Sequence, residues 1–396
     1  MPSKSRRVAF WLLTLTLLYG CLEFFSLFAF HLLDGGFSFA GLAGDRARSA
    51  GEIPGQPGAT PLALYALHPF VGYTDQASPV VRRTPAEMAE FTSSPQVAVV
   101  GIFGGSVAQE LSASAVLVQA LQASPRFAGR QIRMLVGATG GYKQPQHVAA
   151  LAYLLSLGAR FDVVINLDGF NELSDLTSPH GMSPVFPASW FRMQHDFSDP
   201  RQALALGELA VTARRRQQWA ALCARPPLGW SVTASLLWRV GDRYLANLAA
   251  EQQLALDALG KPTQPLPALP VDDAALQATL VSVAEVWRRG SEQMAALCAA
   301  SGAQYVHCLQ PTRYLNKRLT EEERRAAPNG PGRVVAAGYP ELRQRGLAMR
   351  AAGLPFHDLT GMFSEEPRAI YRDECHCNQI GQDALARAVA RAVLEP

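Results

Sequence analysis

The chain has 396 residues, of which 48% are hydrophobic and 17% charged, with a formal net charge of +3. That length suits one large domain or two modest ones around a packed core, and excludes a disordered or fibrous polypeptide. Lys and Arg are scattered or sit in short clusters such as Arg214-Arg215-Arg216 without interleaved aromatics, which argues against nucleic-acid binding.

The first signal is N-terminal. Lys4, Arg6 and Arg7 precede an apolar run from Val8 to Leu33, interrupted by Glu23. The run is about 26 residues, against the about 20 a helix needs to span a bilayer. A cleavable signal peptide has a shorter apolar core, and Leu18-Tyr19-Gly20-Cys21 resembles a lipobox only loosely, so an uncleaved anchor fits best. Basic residues on its N-terminal side are expected to stay in the cytoplasm, placing everything after about Asp34 outside it, periplasmic or extracellular. Residues 1–33 are thus read as a cytoplasmic tip with a single-pass anchor, and 34–93 as linker and N-terminal extension, with a Gly, Pro and Ala-rich stretch from Gly51 to Pro61.

A folded domain is expected over 94–396. Val97 to Phe103 reads as a buried parallel strand, Ala113 to Gln122 as a helix, Gln131 to Val136 as a strand, His147 to Leu157 as a helix and Phe161 to Leu167 as a third strand. That alternation predicts a parallel sheet with helices on both faces. An insertion, about 174–300, is read as mostly helical with a proline-laced break from Lys261 to Pro270; it serves as a cap or as a substrate-selecting lid, and the Trp230 and Trp238 region is expected to pack within it. Strands Gln304 to Leu309 and Leu354 to Leu359 follow, Thr320 to Gly332 reads as a solvated charged loop and turn, and Ile380 to Leu394 closes the domain as a helix.

The chemistry-bearing residues stand just after predicted strands, where open α/β sheets bind ligands. Gly104-Gly105-Ser106 leaves a hydroxyl at the mouth of the sheet. Gly137-Ala138-Thr139-Gly140-Gly141-Tyr142 offers backbone N–H groups to an oxyanion, and Asp168-Gly169-Phe170-Asn171-Glu172 an amide donor. Near the C-terminus, Asp373-Glu374-Cys375-His376 sets a carboxylate three residues before an imidazole, a spacing that lets Asp373 hold the ring nitrogen facing away from a serine.

In this order, Ser, Gly, Asn and Asp-x-x-His resemble the motif blocks of the SGNH (GDSL-like) hydrolase superfamily, from about Val97 to the C-terminus with the insertion excepted. The resemblance implies a three-layer α/β/α flavodoxin-like fold and serine ester chemistry, hydrolytic or acyl-transferring. It implies Ser106, Asp373 and His376 as catalytic residues, with an oxyanion hole from the Ser106 amide, Gly141 (Gly140 as the alternative) and Asn171. Two departures blur any subfamily: Gly105 stands in place of an acidic residue before the serine, and Glu172 in place of Asp after the asparagine. No cofactor is implied. Cys375 and Cys377 flank His376, but neighbours in sequence cannot easily share one ion, so no metal is expected. Of the six cysteines Cys21 lies in the apolar run, and how the other five pair is not legible. The partners implied are an acyl ester substrate, an acylated envelope glycan being one candidate, and the membrane. A catalytically silent scaffold of envelope polysaccharide assembly on the same fold is the rival reading, opposed by the full set of Ser106, Asn171, Asp373 and His376.

Overall fold

A computed structural model describes residues 4–51, 65–75, 77–177, 185–186, 200–259, 269–270, 272–326 and 331–395. The chain divides into two compact units, one formed by 1–64 with 195–261 and the other by 65–194 with 262–396. The Gly51 to Pro61 linker beyond Gly51 itself and most of the proline-laced break lie outside the described residues.

The second unit is mixed α/β. A short antiparallel hairpin of β1 (Tyr65–His68) and β2 (Gly72–Asp75), not expected from sequence, precedes the main sheet. That sheet holds β3 (Val97–Gly104), β4 (Gln131–Val136), β5 (Val163–Asp168), β6 (Gln304–Leu309) and β7 (Phe356–Asp358), in the order β4-β3-β5-β6-β7 with every pairing parallel. The strands lie close to their expected places, although the last is only three residues long. The expected helix from Ala113 to Gln122 is found as Ala115–Gln122, capped by Ser114, and a separate helix not expected from sequence, Ser106–Ser112, precedes it.

Both faces of the sheet are covered, which is why its strands read as continuous apolar runs. Ala98, Val100 and Ile102 pack in one cluster with Leu117, Leu121, Leu385 and Val389. Val99 and Phe103, on the opposite pleat, pack with Leu151, Leu154, Met294 and Cys298. The long helix Asp273–Ser301 therefore belongs to this unit, contributing Trp287 to the first cluster and Met294 to the second.

The first unit is helical. Its N-terminal helix Lys4–Asp34 contains a 26-residue apolar stretch, Val8–Leu33, long and apolar enough to cross a membrane. Packed with it are helix Phe39–Gly51 and the hairpin of Pro200–Ala224 and Val232–Leu259. Phe30, Leu42, Cys223, Val232 and Trp238 form their shared core. Arg216 and Asp242, and Arg239 and Asp45, pair at 2.7 Å. Contrary to expectation, only Trp238 packs inside, since Trp230 is 74% exposed.

Candidate active site

The candidate residues gather at the carboxyl ends of β3, β4 and β5. At the end of β3 the backbone must turn sharply against β5. A Cβ on Gly104 would come within 2.0 Å of the Leu167 carbonyl oxygen, and Gly104 has φ +141°. A Cβ on Gly105 would meet Asn171 Nδ2 at 2.2 Å. Glycines at both positions therefore bring Ser106, the first residue of the next helix, beside the Asn171 amide.

Ser106 Oγ lies 2.6 Å from His376 Nε2, and His376 Nδ1 lies 2.7 Å from Asp373 Oδ2. The other Asp373 oxygen accepts from the backbone N–H groups of Cys375 and His376, at 2.9 and 2.8 Å. Burial works against charge on Asp373, but these hydrogen bonds and the His376 ring prevail and hold its carboxyl down at about 2. On His376, burial lowers the pKa, and the bond and charge of Asp373, helped by the Glu110 carboxylate, lift it above the ordinary histidine value. Such a chain can pass the hydroxyl proton to the ring while the carboxylate supports the imidazolium.

The donors are arranged around the serine. Asn171 opens a short helix after β5, and its Nδ2 donates to the Tyr142 carbonyl at 2.8 Å, tying that turn to the one after β4. In the glycine turn the Gly140 N–H is already given to Gln109 Oε1 at 3.0 Å, whereas the hydrogen bonds of the described residues leave the Gly141 N–H untaken, at φ +78°. Between the two glycines offered by sequence, this accounting favours Gly141. The unexpected β1–β2 hairpin backs the turn. Tyr73 donates to the Gly140 carbonyl at 3.0 Å, and Asp75 accepts from Gln109 Nε2 at 2.9 Å.

The loop that carries His376 is pinned from outside the motif. Glu323, fully buried, accepts from the N–H groups of Ile370 and Tyr371 and from Lys317 Nζ, each within 3.1 Å. Burial raises its pKa, but these donors prevail and hold the carboxyl at about 2. The expected solvated loop is thus corrected: Glu321–Ala326 is a helical turn, because a buried carboxylate is needed where the loop's amides arrive. Thr320 and Glu323 form a reciprocal cap, a pattern legible in Thr320-x-x-Glu323, whereas the reach to Ile370 is not. Arg372 pairs with Glu110 at 2.7 Å and donates to the Cys377 carbonyl, closing the loop onto the serine's own helix.

All six cysteines are unpaired. Asp373, Cys375 and His376 present donor atoms close together, but both ring nitrogens of His376 are engaged and burial pushes the Cys375 thiol well up, disfavouring the thiolate a metal needs.

Behind the site lies a buried polar cluster that sequence reading missed. Asp168 accepts from Trp287 Nε1, His307 Nε2, Asn166 Nδ2 and His147 Nδ1, at 2.7 to 3.1 Å. Beside it Glu172 accepts from the N–H groups of Gly169 and Gln144, linking the asparagine turn to the glycine turn. Burial and the charge of Asp168 push its carboxyl up to about 7. Glu172, one of the two departures from the family pattern, thus joins the turns after β4 and β5. No family model and no curated protein matches the chain.

Proposed function

We propose that the chain is a membrane-anchored serine ester hydrolase or O-acyl transferase of the SGNH type. The observation that carries this reading is the hydrogen-bonded chain from Ser106 through His376 to Asp373, at 2.6 and 2.7 Å. The sheet order supports the finer fold reading: numbered along the five-stranded sheet it is 2-1-3-4-5, the order of flavodoxin-like sheets.

In the reaction, Ser106 Oγ attacks an ester carbonyl carbon as its proton passes to His376 Nε2. The oxyanion is met by the Ser106 and Gly141 N–H groups and by the second Nδ2–H of Asn171, whose first is given to the Tyr142 carbonyl. The ester C–O bond then breaks, His376 returns the proton to the leaving alcohol, and Ser106 is left acylated. Water or a sugar hydroxyl next gives its proton to His376 and takes the acyl group as the acyl–Oγ bond breaks, and His376 returns that proton to Ser106 Oγ. Lys4, Arg6 and Arg7 hold the N-terminus of the anchor in the cytoplasm under the positive-inside rule, which puts this chemistry outside the cytoplasm, on ester substrates that include acylated glycans.

The test is fluorophosphonate labelling of the full chain in mild detergent, beside Ser106→Ala and His376→Ala. Labelling of the wild type that both substitutions abolish is expected. A folded wild type that does not label, or a Ser106→Ala chain that still does, would sink the reading in favour of a silent binding protein.

A further inference from the structure

The helical unit holds a groove of about 570 Å³ whose walls include Phe39, Ala43, Arg46, Ala220, Ala224 and Trp230. Arg46 is 6% exposed, and among the described residues no carboxylate pairs with it. Its Nη2 donates to Ser235 Oγ at 2.8 Å, its guanidinium stacks 5.1 Å from the Trp238 ring, and its Nε has no partner. A guanidinium keeps its charge in proteins, and a buried cation ordinarily has an anion beside it. An apolar groove with a lone buried cation fits an anionic headgroup attached to a hydrocarbon chain.

The position of the groove along the anchor indicates where that amphiphile comes from. The apolar stretch of the anchor has 26 residues, a surplus of about six over what a bilayer needs. Phe30, within its outer end, is 1% exposed in the unit's own core, while Phe28, Leu32 and Leu33 stay exposed, so the surplus goes into protein packing on one side of the helix. Counting about 20 residues from Val8 sets the outer edge of the hydrocarbon near Leu27. Next to that level Ser26 Oγ lies 2.9 Å from Thr233 Oγ1, and one turn deeper Glu23 accepts from the Val232 N–H at 2.6 Å, capping the start of helix Val232–Leu259. Ser235, which holds Arg46, is two residues from Thr233, so the guanidinium stands at headgroup height. The turn before that helix carries Trp230 and Leu228, both exposed, as expected of side chains in the bilayer interface.

We propose that this groove is a phospholipid site, with the lipid phosphate on Arg46 and an acyl chain along Ala220, Ala224 and Trp230. The inference rests on reading the N-terminal helix as the membrane span.

The test is native mass spectrometry of the full chain released from mild detergent after supply of phosphatidylglycerol or of diacylglycerol with the same chains. The wild type is expected to retain one phosphatidylglycerol and no diacylglycerol. Arg46→Gln, which removes the charge, and Ala221→Trp, which fills the groove from an exposed position, should each lower occupancy about tenfold or more with melting temperatures near that of the wild type. Equal phosphatidylglycerol occupancy in all three chains, no retained lipid in the wild type, or equal retention of diacylglycerol would overturn the assignment. Alkaline extraction of membranes checks the span separately. A chain released by alkali breaks the anchor reading, whereas one that stays in the membrane yet binds lipid equally in all variants breaks the groove alone.

Discussion

Among its described residues, the sheet unit contains two Ser-His-Asp chains. In one, Ser106, His376 and Asp373 stand 2.6 and 2.7 Å apart on a loop at the strand ends. In the other, Ser291, His307 and Asp168 stand 2.8 and 2.8 Å apart between helix Asp273–Ser301 and the sheet. By distance they are equivalent. Ser291 and His307 are sealed in the core, however, and Ser291 is also within 3.1 Å of the Tyr305 hydroxyl, while Asp168 serves three further donors. His376 and Asp373 retain side-chain exposures of 23% and 39%, and the serine beside them has amide donors close by. A Ser-His-Asp arrangement therefore does chemistry only where a substrate can reach it and an oxyanion can be met. Elsewhere the same groups are a way to bury a carboxylate with its hydrogen bonds filled.

Substitutions in matched pairs break or sharpen this contrast. The largest effect is expected at the serines: Ser106→Ala should lower ester turnover by about 10⁶-fold with the melting curve little changed, in line with loss of a serine nucleophile. Ser291→Ala should leave turnover within about threefold while costing about 1 kcal/mol of stability through its lost buried hydrogen bonds. A comparable loss of turnover in both would erase the distinction. At the carboxylates, Asp373→Asn should cut kcat about 10⁴-fold by releasing the ring's tautomer. Asp168→Asn should instead cost about 3 kcal/mol in denaturant unfolding, since it unpairs a buried histidine-carboxylate network. Asn171→Ala, which removes one of the proposed oxyanion donors, is expected to cost about 10² to 10³ in kcat with KM nearly unchanged. A KM-only effect would place Asn171 in substrate binding instead.

The strands at Val97 and Gln304 were readable because their apolar runs need nothing but burial on both faces to explain them. Ser106, Asn171 and His376 were readable because each sits where a strand ends or a final helix begins. Glu323, Gln109 and Asp75 were not, since each acts through a backbone amide or a side chain remote in sequence. Glu323 and Ile370 stand 47 positions apart, and no local period marks such a contact. The Asp168 cluster was invisible for a related reason: Trp287 and His307 reach it from an insertion and from the following strand, 119 and 139 positions away. Glu23 read as a flaw in an apolar run, and its meaning as a helix cap emerges only once Val232 is brought beside it.

The smallest effect expected is on pH dependence, and it separates the two chains most cleanly. For Ser106 to lose its proton, His376 must be neutral, and Asp373 and Glu110 raise its pKa above the ordinary 6.5. Acylation should therefore fall as pH drops through a midpoint above that value, while Asp373, held at about 2, stays charged throughout. In Asp373→Asn the leading cause of the upward shift is gone and burial remains, so the midpoint should move to lower pH even as the plateau collapses. Stability carries the opposite signature. Because the folded pKa of His376 is raised, its contribution is complete below the unfolded value near 6.5 and is lost as pH rises through the folded one. Because that of Asp373 is lowered, its contribution is present above about 4 and is lost as pH falls toward 2. Paired pH–rate and pH–melting profiles of the wild type and Asp373→Asn measure both signs. A rate midpoint that stays in place on substitution would detach Asp373 from His376, and with it the difference between the exposed chain and the buried one.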